Sequence, residues 1–235
     1  MAIQAAIVAG GRGVRMRPAT DDLPKPMLPV AGKPLLEHQL EWLRAQGVRE
    51  VAMCLGYKAE AVSRHFGDGA RWGLKLSYQV EATPRGTAGA VRDLVPRPAG
   101  DLLVVYGDLF VSLDCGPLLA FHGRHAAAAT VVVRASDHPL DSDLVRMKGD
   151  AITHFYRARH GEPYENWACA ALFVVRPRLL DLVPADAPSD FGRDIFPKAL
   201  AAGESLMAYR TEEEVADLGT PERLSAFLGR REARS

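Results

Sequence analysis

Short apolar runs alternate with amphipathic stretches through the first half of the chain. Ala5-Ala6-Ile7-Val8 has the continuous apolar character of a buried strand. A helix is predicted over 34–46: Pro34 suits the first helical position, Leu36, Leu40 and Leu43 recur at helical spacing, and Gly47 ends it. Further strands are predicted over 51–55, 74–80 and 102–106, with helices over 59–66 and 87–94 between them. That strand–helix rhythm predicts a parallel sheet covered by helices. Beyond Asp114 the order loosens. Strands are predicted over 130–134, 144–147, 152–156 and 170–175, separated by polar or Pro-containing turns such as Asp137-His138-Pro139. Helices over 191–201 and 221–228 return the chain to the first layer, and 229–235 has the composition of a short solvated tail. With no repeat or low-complexity linker, the pattern favours one domain with a smaller, partly antiparallel lobe grafted onto it.

Composition narrows the function classes. The chain has 235 residues, with 29 Lys+Arg against 29 Asp+Glu and so no formal net charge. Zero net charge argues against an extended nucleic-acid surface, which needs a concentrated positive field, but leaves room for one local basic pocket. Cys54, Cys115 and Cys169 are odd in number, lack metal-type spacing and lie in or beside apolar runs, as buried thiols in a reducing compartment would. Neither a signal peptide nor a membrane span is visible, so a cytoplasmic protein is expected.

The most informative stretch follows the first strand. It runs Ala9-Gly10-Gly11-Arg12-Gly13-Val14-Arg15-Met16-Arg17-Pro18 and continues into Leu23-Pro24-Lys25-Pro26, ending near Gly32-Lys33-Pro34. Ligands of parallel α/β sheets bind beyond the carboxyl ends of strands, where this loop falls. Three glycines let the backbone approach a polyphosphate and aim N–H groups at its oxygens. Arg12, Arg15, Arg17 and Lys25 add positive charge suited to a triphosphate. The spacing is neither that of a P-loop, since no Lys-Ser/Thr pair follows the glycines, nor that of a dinucleotide fingerprint, since Met16 stands where glycine or alanine is required.

The whole segment resembles the sugar-1-phosphate nucleotidyltransferases, whose motif runs Gly-Gly-x-Gly-x-Arg-x-x-Pro and then Pro-Lys-Pro. The resemblance implies that Arg15 grips the triphosphate and that Lys25 sits against the reacting phosphates, with Ala9, Gly10, Gly11, Arg12 and Gly13 cradling the nucleotide. It also implies a Rossmann-like α/β fold, with residues of about 1–115 and 205–235 forming the nucleotide-binding core and about 116–204 the sugar-phosphate lobe. Family members read the base partly through the loop after the third strand, here Glu81-Ala82-Thr83-Pro84-Arg85-Gly86-Thr87-Ala88-Gly89. An ionised Glu81 accepts hydrogen bonds only, and guanine offers two adjacent donors, whereas uracil and thymine show acceptors flanking one donor. GTP is therefore the favoured nucleotide, with Gly86 and Thr87 assigned to its binding; a solvated Glu81 is the alternative.

Tyr106-Gly107-Asp108 ends an apolar strand, and Asp217-Leu218-Gly219-Thr220-Pro221 repeats the family's closing Asp-x-Gly-Thr-Pro pattern. Two carboxylates converging on a polyphosphate suggest Mg²⁺, a hard cation that binds oxygen. Either aspartate could instead cap a turn or a helix.

The sugar lobe departs from the family. Its usual Glu-Lys-Pro falls on Arg157-Ala158-Arg159, with Ala158 at the lysine position, so Arg157 or Arg159 would have to supply the phosphate contact, unless both are merely solvated. The usual Asn-Ala-Gly appears as Cys169-Ala170-Ala171. His138-Pro139-Leu140-Asp141-Ser142-Asp143-Leu144-Val145 resembles the D-glycero-D-manno-heptose 1-phosphate guanylyltransferases, where Asp141, Ser142 and Asp143 would face sugar hydroxyls or else turn the chain. The implied reaction moves GMP from GTP to that heptose 1-phosphate and releases pyrophosphate. Mannose or N-acetylmuramate 1-phosphate acceptors, UTP as donor, and a catalytically silent nucleotide-sugar sensor are the alternatives. The expected partners are thus a nucleoside triphosphate and a sugar 1-phosphate, with no nucleic acid or membrane, in a monomer or homodimer.

Overall fold

A computed structural model describes residues 3–233. They form two compact units: residues up to 84, 105–113 and those from 213 onward make one, and residues 85–104 with 114–212 make the other.

In the first unit three parallel strands lie in the order Lys75–Val80, Glu50–Leu55, Gln4–Ala9, with Ala5 opposite Val51 and Val51 opposite Leu76. Parallel neighbours need a crossover. The helices Leu35–Ala45 and Ala59–Phe66 lie in those connections. The apolar stripe of the first helix buries Leu35, Leu36, Leu40, Trp42 and Leu43, together with one polar residue, Gln39. Gly47 adopts a φ of 83° just past the helix end, in keeping with its expected role as the stop.

Two elements absent from the apolar pattern complete this unit. Pro29–Val30 pairs with Lys33–Pro34 in a small hairpin, and Leu109–Val111 pairs antiparallel with Val215–Asp217. The helix Pro221–Glu232 follows, with the Thr220 hydroxyl accepting from the Arg223 N–H as its N-cap. Phe227 is fully buried there against Val30, Leu35, Phe110 and Leu218, its ring centroid 4.8 Å from that of Phe110.

In the second unit the strand Ala129–Arg134 runs antiparallel to Ala168–Val175 and parallel to Leu206–Arg210. The hairpin Leu144–Lys148/Ala151–Tyr156 extends this sheet through Ala151 opposite Met207. Phe155, Phe173, Phe191 and Phe196 pack with ring centroids 4.8–5.6 Å apart. The expected partly antiparallel character is present. So is the mixed α/β composition, with its main parallel strands in the first unit.

Three predictions of local structure need correction. The helix Cys115–Arg124 was invisible in the pattern because Gly116, Pro117 and Gly123 dilute its helix propensity; Asp114 caps it by accepting from the Gly116 N–H at 2.8 Å. Residues 191–201 are not one regular helix. A wide turn, Phe191–Ile195, precedes the α-helix Phe196–Ala201, where Pro197 lacks the N–H that a continuous ladder would need. The supposed tail from Gly229 is helical to Glu232, and the Arg231 guanidinium lies 4.5 Å from the Phe110 ring centroid. That stacking gives the last turn a reason to stay on the core. Cys54 and Cys115 are buried, Cys169 is half-buried, and none of the three is in a disulfide. Among the described residues no helix is long and apolar enough to cross a membrane.

Because the helix runs through Gly229 with nothing within 4 Å of an added Cβ, Gly229→Ala is expected to stabilise the protein by about 0.5–1 kcal/mol. Urea denaturation measures it; an unchanged midpoint would mean residue 229 is not helical.

Candidate active site

The glycine loop leaves the carboxyl end of the Gln4–Ala9 strand. Gly13 has a φ of 62°, a left-handed conformation that disfavours a side chain, and opens a short 3-10 turn, Val14–Met16, on which Arg15 is exposed. The returning chain is packed against it. An added Cβ on Gly13 would lie 3.0 Å from Thr20 Cγ2 and 3.2 Å from Lys25 Cβ, and the Thr20 hydroxyl donates to the Gly13 carbonyl at 2.9 Å. The Lys58 ammonium donates to the Asp21 carbonyl, and the Tyr57 N–H donates to the Gly10 carbonyl at 3.2 Å. Thr20, Tyr57 and Lys58 thus tie the loop to its neighbours. Sequence reasoning passed over all three, for they belong to no glycine or charge motif.

Glu81 stands at the end of the Lys75–Val80 strand, its N–H donating to the Leu55 carbonyl at 2.8 Å. Its carboxylate lies against Gly10, 3.2 Å from where a Cβ would be. A side chain there would crowd Glu81, so Gly10 and Glu81 form one wall.

The strongest convergence is at Gly219. A Cβ on that residue would stand 2.5 Å from Asp217 Oδ1, 3.0 Å from Lys25 Nζ and 3.4 Å from Asp108 Oδ2. Glycine is required here by close approach, and the three charged groups face one small space. Lys25 Nζ contacts Asp108 Oδ2 at 2.6 Å, with the two side chains 13% and 25% exposed. Asp217 Oδ1 accepts the Gly219 N–H at 2.6 Å, and its Oδ2 accepts from the Arg223 guanidinium. Arg223 had no place in the sequence reading. Its signal was available: it sits in the first turn of the helix that Thr220-Pro221 starts, close behind Asp217.

The donor set suits the Mg²⁺ that the resemblance implies. Asp108 and Asp217 offer hard carboxylate oxygens. Among the described residues no group of three or more His, Cys, Asp and Glu forms a closed cage. Mg²⁺ is commonly held by one or two carboxylates while phosphates and water complete its shell. Lys25 and Arg223 meanwhile keep the two carboxylates paired, as partly buried charges require.

In the second unit Gly86 has a φ of 72°, and an added Cβ would fall 2.5 Å from the Ser189 carbonyl oxygen. The Thr87 N–H and hydroxyl both donate to Asp190 Oδ1, at 3.0 and 3.2 Å, and the Phe191 N–H donates to the Thr87 hydroxyl at 3.0 Å. Asp143 and Arg157 are brought together at 2.9 Å, with Gly192 against the Asp143 carboxylate. Arg159 approaches Glu162 at 3.9 Å. Asp141 is exposed on the turn Pro139–Asp141. Ser142 is buried: its hydroxyl donates to the His138 carbonyl and meets the Ser136 hydroxyl at 2.9 Å, which places it in the fabric of the turn.

Ala171, at the position of the family's usual glycine, has a φ of 55°, a left-handed backbone that costs a non-glycine residue about 1–2 kcal/mol. Burial pushes the nearby Cys169 thiol up to about 12, with Asp143 adding to the rise and a backbone hydrogen bond at Ala171 opposing it. Cys169 therefore stays protonated at neutral pH and is no nucleophile.

A strand-end glycine loop, a carboxylate packed against it and a Lys–Asp–Asp cluster lie together in the first unit of this α/β protein. The chain belongs to the Nucleotidyl transferase family, whose profile matches residues 4–228. A mannose-1-phosphate guanylyltransferase from Mycobacterium tuberculosis is 31% identical over 223 residues, 94% of this chain and 62% of that protein. A UTP–glucose-1-phosphate uridylyltransferase from Synechocystis sp. is 27% identical over 97% of this chain and 63% of that protein. The chain thus spans less than two thirds of the length of either relative. HddC from Yersinia pseudotuberculosis, solved in complex with GMP-PN, shares the fold with a TM-score of 0.80 at 22% identity, over 97% of this chain and 99% of that one.

Gly219→Ala should force Asp217, Lys25 and Asp108 apart and lower stability by about 1–3 kcal/mol, the usual range for overpacking. A denaturant midpoint matching wild type would show that the three groups are not packed around residue 219.

Proposed function

We propose that the chain transfers a nucleoside monophosphate, GMP from GTP by preference, to a sugar 1-phosphate of manno configuration, releasing pyrophosphate. The observation that carries this reading is the meeting of Lys25, Asp108 and Asp217 at Gly219, beside a loop whose Gly13 packs on Lys25. Sequence likeness to the mycobacterial mannose-1-phosphate guanylyltransferase supports the guanine donor and the manno acceptor. The His138–Val145 stretch supports D-glycero-D-manno-heptose 1-phosphate as the particular acceptor; mannose 1-phosphate shares its ring configuration.

The acceptor's phosphate is anionic at neutral pH, so its oxygen attacks the α-phosphorus directly. A new P–O bond forms, the bond to the β-phosphate oxygen breaks, and the electron pair leaves with pyrophosphate. No side chain needs to remove a proton. The work left to the protein is alignment and neutralisation of crowded negative charge. Lys25 supplies a fixed ammonium where donor and acceptor phosphates meet, and Arg15 pairs with the departing pyrophosphate. Asp108 and Asp217 would hold Mg²⁺, whose charge further offsets that of the phosphates. Glu81 accepts from guanine N1–H and the 2-amino group, with Gly10 leaving room for the base beside it. In the sugar lobe Arg157, steadied by Asp143, is the phosphate contact in place of the family's lysine.

Pyrophosphate release should appear with Mg²⁺, GTP and a manno-configured sugar 1-phosphate, and be weaker with ATP, CTP or UTP. Lys25→Ala should lower kcat a few hundred-fold or more, roughly 3 kcal/mol in the barrier, the scale of one preorganised electrostatic donor. If no pairing of nucleotide and sugar phosphate releases pyrophosphate, the chain is a sensor; a folded Lys25→Ala protein with wild-type turnover removes the role given to Lys25. Glu81→Gln should shrink the GTP-to-UTP ratio of kcat/KM, since an amide presents one acceptor where guanine offers two donors. An unchanged ratio would take the base-reading role away from Glu81.

A further inference from the structure

The helix Leu35–Ala45 buries one side chain that its apolar stripe does not explain. Gln39 is 1% exposed, among Leu35, Leu36, Leu40 and Leu43. An amide at such a position loses its water and needs partners to compensate. Its Nε2 donates to the Tyr106 carbonyl at 2.8 Å and to the Leu109 carbonyl at 2.7 Å. Those two carbonyls bracket Gly107-Asp108. Its Oε1 is buried and has no hydrogen-bond partner among the described residues. The fold thus keeps a half-satisfied amide on an otherwise apolar stripe, and the half that is satisfied grips the turn bearing Asp108.

Gln39 adds to the other fastenings of that turn. The Gly107 N–H donates to the Val8 carbonyl at 2.8 Å, and an added Cβ on Gly107 would lie 2.6 Å from that of Ala9. The Leu218 N–H donates to the Asp108 carbonyl at 2.9 Å. These ties hold the turn to the first strand and to the closing segment. The two amide protons of Gln39 hold the carbonyls on both sides of Gly107-Asp108 from the helix side. Rotation of the peptide planes in this turn would move the Asp108 carboxylate away from Lys25 Nζ and Gly219.

We propose that Gln39 is a positioning residue for Asp108: by clamping the Tyr106 and Leu109 carbonyls it sets where the Asp108 carboxylate stands, and so sets divalent-ion affinity and turnover. The inference rests on the nucleotidyl-transfer reading and on Asp108 as a metal ligand. Gln39 is 1% exposed, so its effect reaches the site through the turn that bears Asp108.

The test uses Gln39→Met, which keeps the shape and removes both donors, and Gln39→Asn, which keeps the amide but withdraws it by one methylene. Leu36→Val, one turn earlier on the same buried stripe, controls for loss of packing. Mn²⁺ affinity in the presence of GTP is measured by electron paramagnetic resonance of the free ion, alongside kcat and the KM for the sugar phosphate. Circular dichroism confirms folding at the assay temperature. Both Gln39 variants should bind Mn²⁺ about tenfold or more weakly and lose kcat on a similar scale, as groups that orient metal ligands do when removed. The KM for the sugar phosphate should stay within about threefold of wild type, and Leu36→Val should keep wild-type Mn²⁺ affinity. Wild-type Mn²⁺ affinity in either folded Gln39 variant overturns the proposal. So does an equal loss in Leu36→Val, or a failure of both Gln39 variants to fold while Leu36→Val folds, because Gln39 would then serve the core alone. A wild-type protein that neither binds Mn²⁺ nor releases pyrophosphate removes the underlying reading instead.

Discussion

Charge crowded into little space is the constraint around which the first unit is organised. Lys25, Asp108 and Asp217 come from a loop, a strand end and a closing strand, and they meet where only a glycine leaves room. Partly buried charges are tolerated when each has an opposite partner and a hydrogen bond. Here Lys25 answers Asp108, while Arg223 and the Gly219 N–H answer Asp217. Each partner is placed by backbone. The first turn of the Pro221–Glu232 helix carries Arg223, and the antiparallel pair Leu109–Val111/Val215–Asp217 brings the two aspartate-bearing segments side by side. The buried Phe110–Phe227 contact anchors both of those elements to one core.

The second unit carries residues that depart from the family pattern on an irregular stretch of strand. The strand Ala168–Val175 loses regular register between Cys169 and Phe173, and Ala171 takes a left-handed backbone there. That is a conformation a glycine adopts freely, and here alanine holds it. A left-handed alanine at a register shift points to a geometric demand on that bulge. The thiol at Cys169, held protonated by burial, offers packing and a weak donor where the family pattern has an amide. Together with the Asp143–Arg157 pair, this gives the lobe its own arrangement of polar groups.

Much of the α/β rhythm was legible because parallel strands are apolar on both faces and helices repeat every three or four residues. The helix 59–66 and the strand 102–106 fall where that periodicity puts them. The glycine loop was legible for a different reason: glycines and cations close together in sequence have few other uses. The Cys115–Arg124 helix was hidden, because its glycines and proline mask a helix that Asp114 and tertiary burial stabilise. The last turn beyond Gly229 was hidden too, since the stacking of Arg231 on Phe110 joins residues far apart in the chain.

At the site the same division holds. Local spacing alone determined that Gly10 to Lys25 is a cationic glycine loop and that Asp217-Leu218-Gly219-Thr220-Pro221 leads into a capped helix, for both are properties of neighbouring residues. Which charges neutralise one another, and why Gly219 must be glycine, was decided only when distant segments met. The clamp of Gln39 on the turn before and after Asp108 belongs to that second kind, since a hydrogen bond between a helix side chain and a far strand's carbonyls leaves no trace in either segment's own pattern.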